Sequence, residues 1–251
     1  MSRATTIHID LSVISDNIAA LRAPLSNQKL LAVLKANAYG HGAVPVAQHI
    51  EAMVDALAVA YTEEAVILRD AGIKAPILVL EGPHDASDLA LIAKLDLWPV
   101  LHQEEQLQWC KAQAAHLPHV WIKLDTGMHR LGFAPDQIGP VRQQLLEMGI
   151  ASVTAMSHLA SAEDPDSPLT QTQLASWSRH TSLLDAPTSL HNSAATRSSL
   201  PAHSDWIRVG YALYGGQIQG LAVDPKIKAA MELRSAVLAV RQVKIGESVG
   251  Y

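Results

Sequence analysis

Aromatic residues are scarce in this 251-residue chain: one Phe, five Tyr and five Trp, 4% of the total. Its core must therefore be built mainly from Leu, Val, Ile and Ala, and with apolar residues at 49% the chain can bury a large one. Cysteine is nearly absent too. Cys110 stands alone, which excludes an internal disulfide and fits a reducing compartment. Neither sign of charge dominates. The net charge of −5 leaves no electrostatic footprint for nucleic acid or an anionic membrane. No apolar run approaches the length of a membrane span, and the stretch 1–10 turns polar before any signal-type region develops. No repeat or low-complexity tract occurs, and no metal is expected. These absences make a soluble, cytoplasmic protein the expectation.

What the chain does have is alternation. After a short strand at 5–9, Asp10 can cap a helix with Leu11, Ile14, Ile18 and Leu21 on one face. Apolar, strand-like runs follow at 30–34, 55–60, 76–80, 97–101, 120–124, 151–156, 187–191 and 206–209. Helical patterns lie between most of them, at 62–72, 86–94, 103–115, 135–148 and 168–184. The first of these is read as capped by Thr62, led by Glu63 and Glu64 and ended by Gly72. Eight strands with intervening helices predict a (β/α)8 barrel over residues 1–226. Pro99 in the fourth run and weak apolarity in the seventh make those two the least regular. Residues 231–245 are rich in β-formers and run longer than a barrel strand. The stretch 227–251 is therefore expected to open a second, β-rich domain, cut short.

Barrel enzymes carry their chemistry on loops at the C-terminal ends of the strands. Lys35 closes the first barrel strand and opens the glycine-punctuated loop Ala36-Asn37-Ala38-Tyr39-Gly40-His41-Gly42. A lysine there is partly withdrawn from water, so its amine is available as a nucleophile. The fifth strand runs into Lys123-Leu124-Asp125-Thr126-Gly127-Met128-His129-Arg130, the sixth into Ser157-His158 and the seventh into His191-Asn192-Ser193. The eighth carries Arg208-Val209-Gly210-Tyr211. Any one of these could be a turn or cap residue. Polar side chains from five strand ends on one face form a candidate site.

At this point the chain resembles a known family. The run from Ala32 to Gly42 is similar to the pyridoxal-phosphate signature of bacterial alanine racemases. The stretch Lys123 to Phe133, the segment Asn192-Ser193-Ala194-Ala195 and the closing Gly246-Glu247-Ser248-Val249-Gly250-Tyr251 match that family in the same order. The resemblance covers essentially the whole chain and stops within the first part of the family's C-terminal β domain. It implies a pyridoxal 5′-phosphate enzyme that interconverts L- and D-alanine by two-base proton transfer, for peptidoglycan or for alanine catabolism, as a homodimer.

It also implies roles. Lys35 would hold the cofactor covalently and act as base on one face of the substrate α-carbon. Tyr251 would serve the other face, working across the dimer interface. Arg208 would hydrogen-bond the pyridine nitrogen. Tyr39, Ser193 and the backbone near Gly210 and Tyr211 would hold the phosphate, with Asn192 beside them and His158 against the ring. Arg130 would bind the phenolic oxygen and the substrate carboxylate side, and Lys123 matches a position that is often carboxylated. Tyr211 departs from the aliphatic residue usual there. Two other readings remain open on the residues alone: a cofactor-holding module without turnover, and a racemase of another small amino acid such as serine.

Overall fold

The computed structural model describes residues 4–113, 116–182, 184–198 and 200–250. Eight parallel strands order themselves by sequence into one sheet: β2 (Lys29–Val33), β3 (Ala56–Val59), β4 (Ile77–Val79), β5 (Trp98–Leu101), β6 (Val120–Lys123), β7 (Val153–Met156), β8 (Thr188–Ser189) and β9 (Trp206–Val209). The first and last of them pair, Lys29 with Trp206 through Ala32 with Val209. Between β8 and β9 the ladder is replaced by mixed bonds. Asp205 N donates to Thr188 O and Arg208 N to His191 O, both at 2.9 Å, while the Asp205 carboxylate accepts from Thr188 N and Oγ1. The sheet thus closes into the expected barrel, with β8 shortened because a side chain takes the place of a neighbouring strand.

Helices alternate with the strands: α1 (Leu11–Arg22), α2 (Lys35–Tyr39), α3 (Ala43–Ile50), α4 (Thr62–Asp70), α5 (Ala86–Lys94), α6 (Glu104–Gln113), α7 (Ile138–Glu147), α8 (Pro168–Thr181) and α9 (Ser193–Arg197). Asp10 caps α1 as its position predicts, accepting from Ser12 N at 2.9 Å. Thr62 does not cap α4. Tyr61 is the N-cap residue, and the Thr62 hydroxyl is buried without a hydrogen-bond partner in the structure. The Glu64 carboxylate does the capping, accepting from Ala60 N and Tyr61 N.

The period-2 alternation of the strands divides the core into two layers. Leu30, Ala32, Leu57, Val59, Ile122 and Ile207 face the helices. Leu31, Val33, Ala56, Ala58, Trp121, Met156 and Trp206 fill the barrel interior. Both layers are mainly aliphatic, as the composition leads one to expect. The interior adds an aromatic cluster: Trp206 meets Trp121 and Trp98 edge-on at centroid distances of 5.6 and 5.7 Å, and His119 stacks on Trp98 at 4.6 Å.

β10 (Met231–Arg234) pairs antiparallel with β1 (Thr6–Ile9), so both ends of the chain share a two-stranded sheet outside the barrel. The β-formers beyond it do not extend the strand. Residues 235–250 join no strand ladder among the described residues, and Leu238 is 94% exposed. A β-prone sequence becomes a strand only where a neighbouring strand takes up its backbone groups.

One local feature bears directly on the site. α2 is a left-handed turn: Ala36, Asn37, Ala38 and Tyr39 all have φ between 52° and 55°. Non-glycine residues resist this conformation by roughly 1–2 kcal/mol each, so the surroundings must hold it.

Candidate active site

Inward-pointing positions continue with the same alternation through the C-terminal ends of the strands and just beyond them. Leu31 and Val33 lead to Lys35, Trp121 to Lys123, Met156 to His158 and Trp206 to Arg208. All four polar residues line one cavity of about 850 Å³ at the C-terminal mouth of the barrel. Tyr39, Arg130, Asn192, Ser193, Gly210 and Tyr211 line it as well. Ten of the eleven residues singled out from the sequence are therefore gathered in one place. The eleventh, Tyr251, lies outside the described residues.

Arg208 is the buried centre of the cluster, only 4% exposed. One guanidinium nitrogen donates to Ser189 O at 2.8 Å and Ser189 Oγ at 2.6 Å. The other donates to Ser157 O at 2.7 Å and lies 3.4 Å from His158 Nδ1. No carboxylate forms an ion pair with Arg208 among the described residues. Burial draws its pKa down to about 10, which leaves it a cation at neutral pH. His158, which can only accept at the nitrogen facing this cation, is held neutral. Burial first, then Arg208, Lys123, Arg130 and Lys35, take its pKa to about 3.

Lys123 is also buried and has no salt bridge among the described residues. Burial, then Arg130 and Arg208, lowers its pKa to about 8. A sizeable fraction of its amine is thus neutral near physiological pH. Arg130 reaches the cavity from the tip of a tight loop. Phe133 N donates to Lys123 O and Asp125 N to Phe133 O, at 2.8 and 2.9 Å. Asp125 Oδ1 accepts from Gly127 N and His129 N. Gly132, at φ +136°, closes that loop where a Cβ would come 2.5 Å from Asp125 N.

The opposite wall is built for close approach. Ser193 Oγ accepts from Gly210 N at 3.2 Å and Ala212 N at 3.3 Å. A Cβ on Gly210 would lie 2.5 Å from the Tyr39 hydroxyl. Asn192 is engaged in the fold: its Oδ1 caps α9 by accepting from Ala195 N, and its amide donates to Leu159 O at 3.4 Å. Burial raises the Tyr39 pKa, so its phenol stays a donor.

These donors fit pyridoxal phosphate. Four cationic side chains (Lys35, Lys123, Arg130 and Arg208) face a cavity with two acidic ones, Glu81 and Glu163. That excess suits a dianionic phosphate. The glycine cradle beside a hydroxyl and a phenol suits its close approach. The buried, acid-free Arg208 suits a neutral acceptor such as a pyridine nitrogen. Sequence reasoning missed Glu81, Glu163 and Gln217–Gln219 on the cavity wall. Glu81 follows the strand-like run at 76–80 and was within reach of the strand-end rule. The others come from longer loops that carry no such signal.

Three half-buried histidines set an acid limit on the fold. Burial lowers His158 to about 3 and both His119 and His191 to about 4, from an ordinary 6.5. Below about pH 6.5 the unfolded chain binds protons that the folded chain refuses, so stability is full above that pH and is lost as pH falls toward 4. Urea midpoints are expected to drop steadily between these limits. A flat midpoint down to about pH 4 would contradict the burial of these rings.

Known proteins resemble this chain over most of its length. Residues 9–218 match the family model described as "Alanine racemase, N-terminal domain". An alanine racemase of Alteromonas mediterranea is 40% identical over 253 residues, spanning 100% of this chain and 71% of that protein. A catabolic alanine racemase of Pseudomonas putida is 43% identical over 247 residues, spanning 97% of this chain and 69% of its own length. The crystal structure of the biosynthetic alanine racemase from Pseudomonas aeruginosa superposes with a TM-score of 0.89 at 40% identity, covering 99% of this chain and 71% of that one.

Proposed function

The chain belongs to the alanine racemase family, and from that membership we propose that it interconverts L-alanine and D-alanine with pyridoxal 5′-phosphate as its cofactor. The observation that carries this reading is the acid-free Arg208, buried in a cavity headed by Lys35. When bound, the cofactor draws electrons from the substrate α-carbon and so makes its proton removable.

The chain's own residues then divide the work. Lys35 holds the cofactor through its amine, and that amine moves the α-proton on one face. Racemisation needs a second base on the opposite face, and Tyr251 is proposed for it. Arg208, donor-only and always charged, supplies a hydrogen bond to the pyridine nitrogen without giving up its proton. A donor that keeps its own proton would leave that nitrogen unprotonated and so restrain side reactions. Tyr39, Ser193 and the backbone N–H groups of Gly210 and Tyr211 bind the phosphate, with Asn192 fixing the helix start beside them. Neutral His158 packs by the ring and keeps Arg208 in place. Arg130 binds the phenolic oxygen and the substrate carboxylate. Lys123, with a neutral amine available, would form an N–C bond to carbon dioxide and release one amine proton to solvent, giving a carbamate anion that steadies Arg130.

We propose that residues 227–251 open a second domain beside a barrel domain of residues 1–226, with β10 pairing back onto β1. We propose a cytoplasmic homodimer in which Tyr251 serves the partner's cavity. Among the described residues no helix is long and apolar enough to cross a membrane. Racemisation is reversible, so one site serves D-alanine supply for peptidoglycan or alanine catabolism.

Polarimetry with added pyridoxal phosphate tests the reading. Optical rotation of either alanine isomer is expected to decay to zero, and faster than that of serine. Unchanged rotation with the cofactor attached would favour a holding module without turnover.

A further inference from the structure

The mechanism so far leaves the left-handed turn after Lys35 unexplained. Ala36 to Tyr39 occupy a costly conformation, and their own hydrogen bonds run mainly to the turn itself: Gly40 N to Ala36 O at 3.0 Å and His41 N to Ala38 O at 3.0 Å. Two contacts tie the turn to other elements from its N-terminal side. Asn37 Oδ1 accepts from Ala43 N at 2.8 Å. Glu64 Oε1, from helix α4, accepts from Ala36 N at 2.6 Å. The other oxygen of the same carboxylate accepts from Ala60 N at 2.8 Å and Tyr61 N at 3.3 Å, on the loop after β3.

Resting on the racemase reading above, we propose that Glu64 is a positioning residue for Lys35 and Tyr39, clamping the loops after β2 and β3 into one frame. A cap needs only the Ala60 and Tyr61 bonds. The bond to Ala36 spans 28 residues and is the shortest of the three. It fixes the peptide plane between Lys35 and Ala36, and with it the direction in which the Lys35 side chain leaves the backbone. The turn it anchors carries the Tyr39 hydroxyl to the place where a Cβ on Gly210 would sit. One carboxylate thus sets both the amine proposed to hold the cofactor and the phenol proposed to hold its phosphate. Two other side chains on helices bridge neighbouring loops in the same way. Gln106 joins His102 N to Pro83 O, and Gln173 joins Ala160 N to Thr126 Oγ1. Among these three, the bridge made by Glu64 is the one beside Lys35.

Glu64→Gln tests the proposal, since it keeps the shape but replaces one accepting oxygen with a donor that opposes the N–H groups. Hydrogen exchange at the Ala36 amide, read on the chain without cofactor, is expected to quicken. Pyridoxal phosphate affinity, read by borohydride trapping on Lys35 and peptide mapping, is expected to fall about tenfold to a hundredfold. Asp85→Ala, which removes the N-cap of α5 away from Lys35, controls for lost stability and is expected to leave trapping unchanged. Trapping by Glu64→Gln within twofold of the parent, or equal losses in the two variants, would overturn the proposal and leave Glu64 a helix cap. If the parent chain itself is not labelled at Lys35, the racemase reading fails. The clamp is then judged on the Ala36 exchange rate alone, and an unchanged rate overturns it.

Discussion

A Lys35→Ala chain is expected to hold pyridoxal phosphate only reversibly and to racemise alanine at least about 10⁴-fold more slowly than the parent. The substitution removes both the amine that attaches the cofactor and the base on one face of the substrate. It should leave the barrel intact, because Lys35 forms no salt bridge among the described residues and sits at an open cavity mouth. The cavity also contains a rival amine. Lys123, with its pKa near 8, is partly neutral where an ordinary lysine is charged. Borohydride reduction followed by peptide mapping separates the two. Label on Lys35 in the parent and none in the variant is the expected result. Label on Lys123, or covalent cofactor retained by Lys35→Ala, would refute the assignment.

The second large effect is expected at Arg208. Arg208→Lys keeps the charge but replaces a planar fork by a single nitrogen. That nitrogen cannot reach Ser189 O, Ser189 Oγ, Ser157 O and His158 together, all of which the guanidinium meets within 3.4 Å. Ser157 O would lose its side-chain donor, while Ser189 O would keep only Ser157 N, at a cost of about 1–3 kcal/mol of stability. The pyridine nitrogen would lose its fixed donor as well, so cofactor affinity should fall with stability. Urea titration and equilibrium dialysis of pyridoxal phosphate check the two halves. Stability unchanged within about 0.5 kcal/mol would mean that the Arg208 bonds matter little to the fold.

Why so much of this site was legible in the sequence is a matter of geometry. Strand side chains alternate, and a barrel has one inside, so a polar residue two positions past an inward Val33, Trp121, Met156 or Trp206 must face the mouth. Counting strand ends therefore finds Lys35, Lys123, His158 and Arg208. What the count misses depends on contacts between distant segments. Nothing in Ala36-Asn37-Ala38-Tyr39 announces a left-handed turn except the tolerance of Asn37 for positive φ. Glu64 reads as a helix-start acid because its bond to Ala36 crosses 28 residues. The seventh strand shrinks to Thr188–Ser189 because Asp205 supplies by side chain what a ladder supplies by backbone. In the same way, the tryptophans in the barrel interior look like ordinary strand aromatics until the sheet closes.

The central claim is that this chain, as a dimer, moves the α-proton of alanine from both faces. The most direct measurement is proton NMR of L- and D-alanine in heavy water with the chain and added pyridoxal phosphate. The predicted result is loss of the α-proton signal from both isomers, accompanied by their interconversion. Neither isomer exchanging, with the cofactor fixed on Lys35, would contradict it.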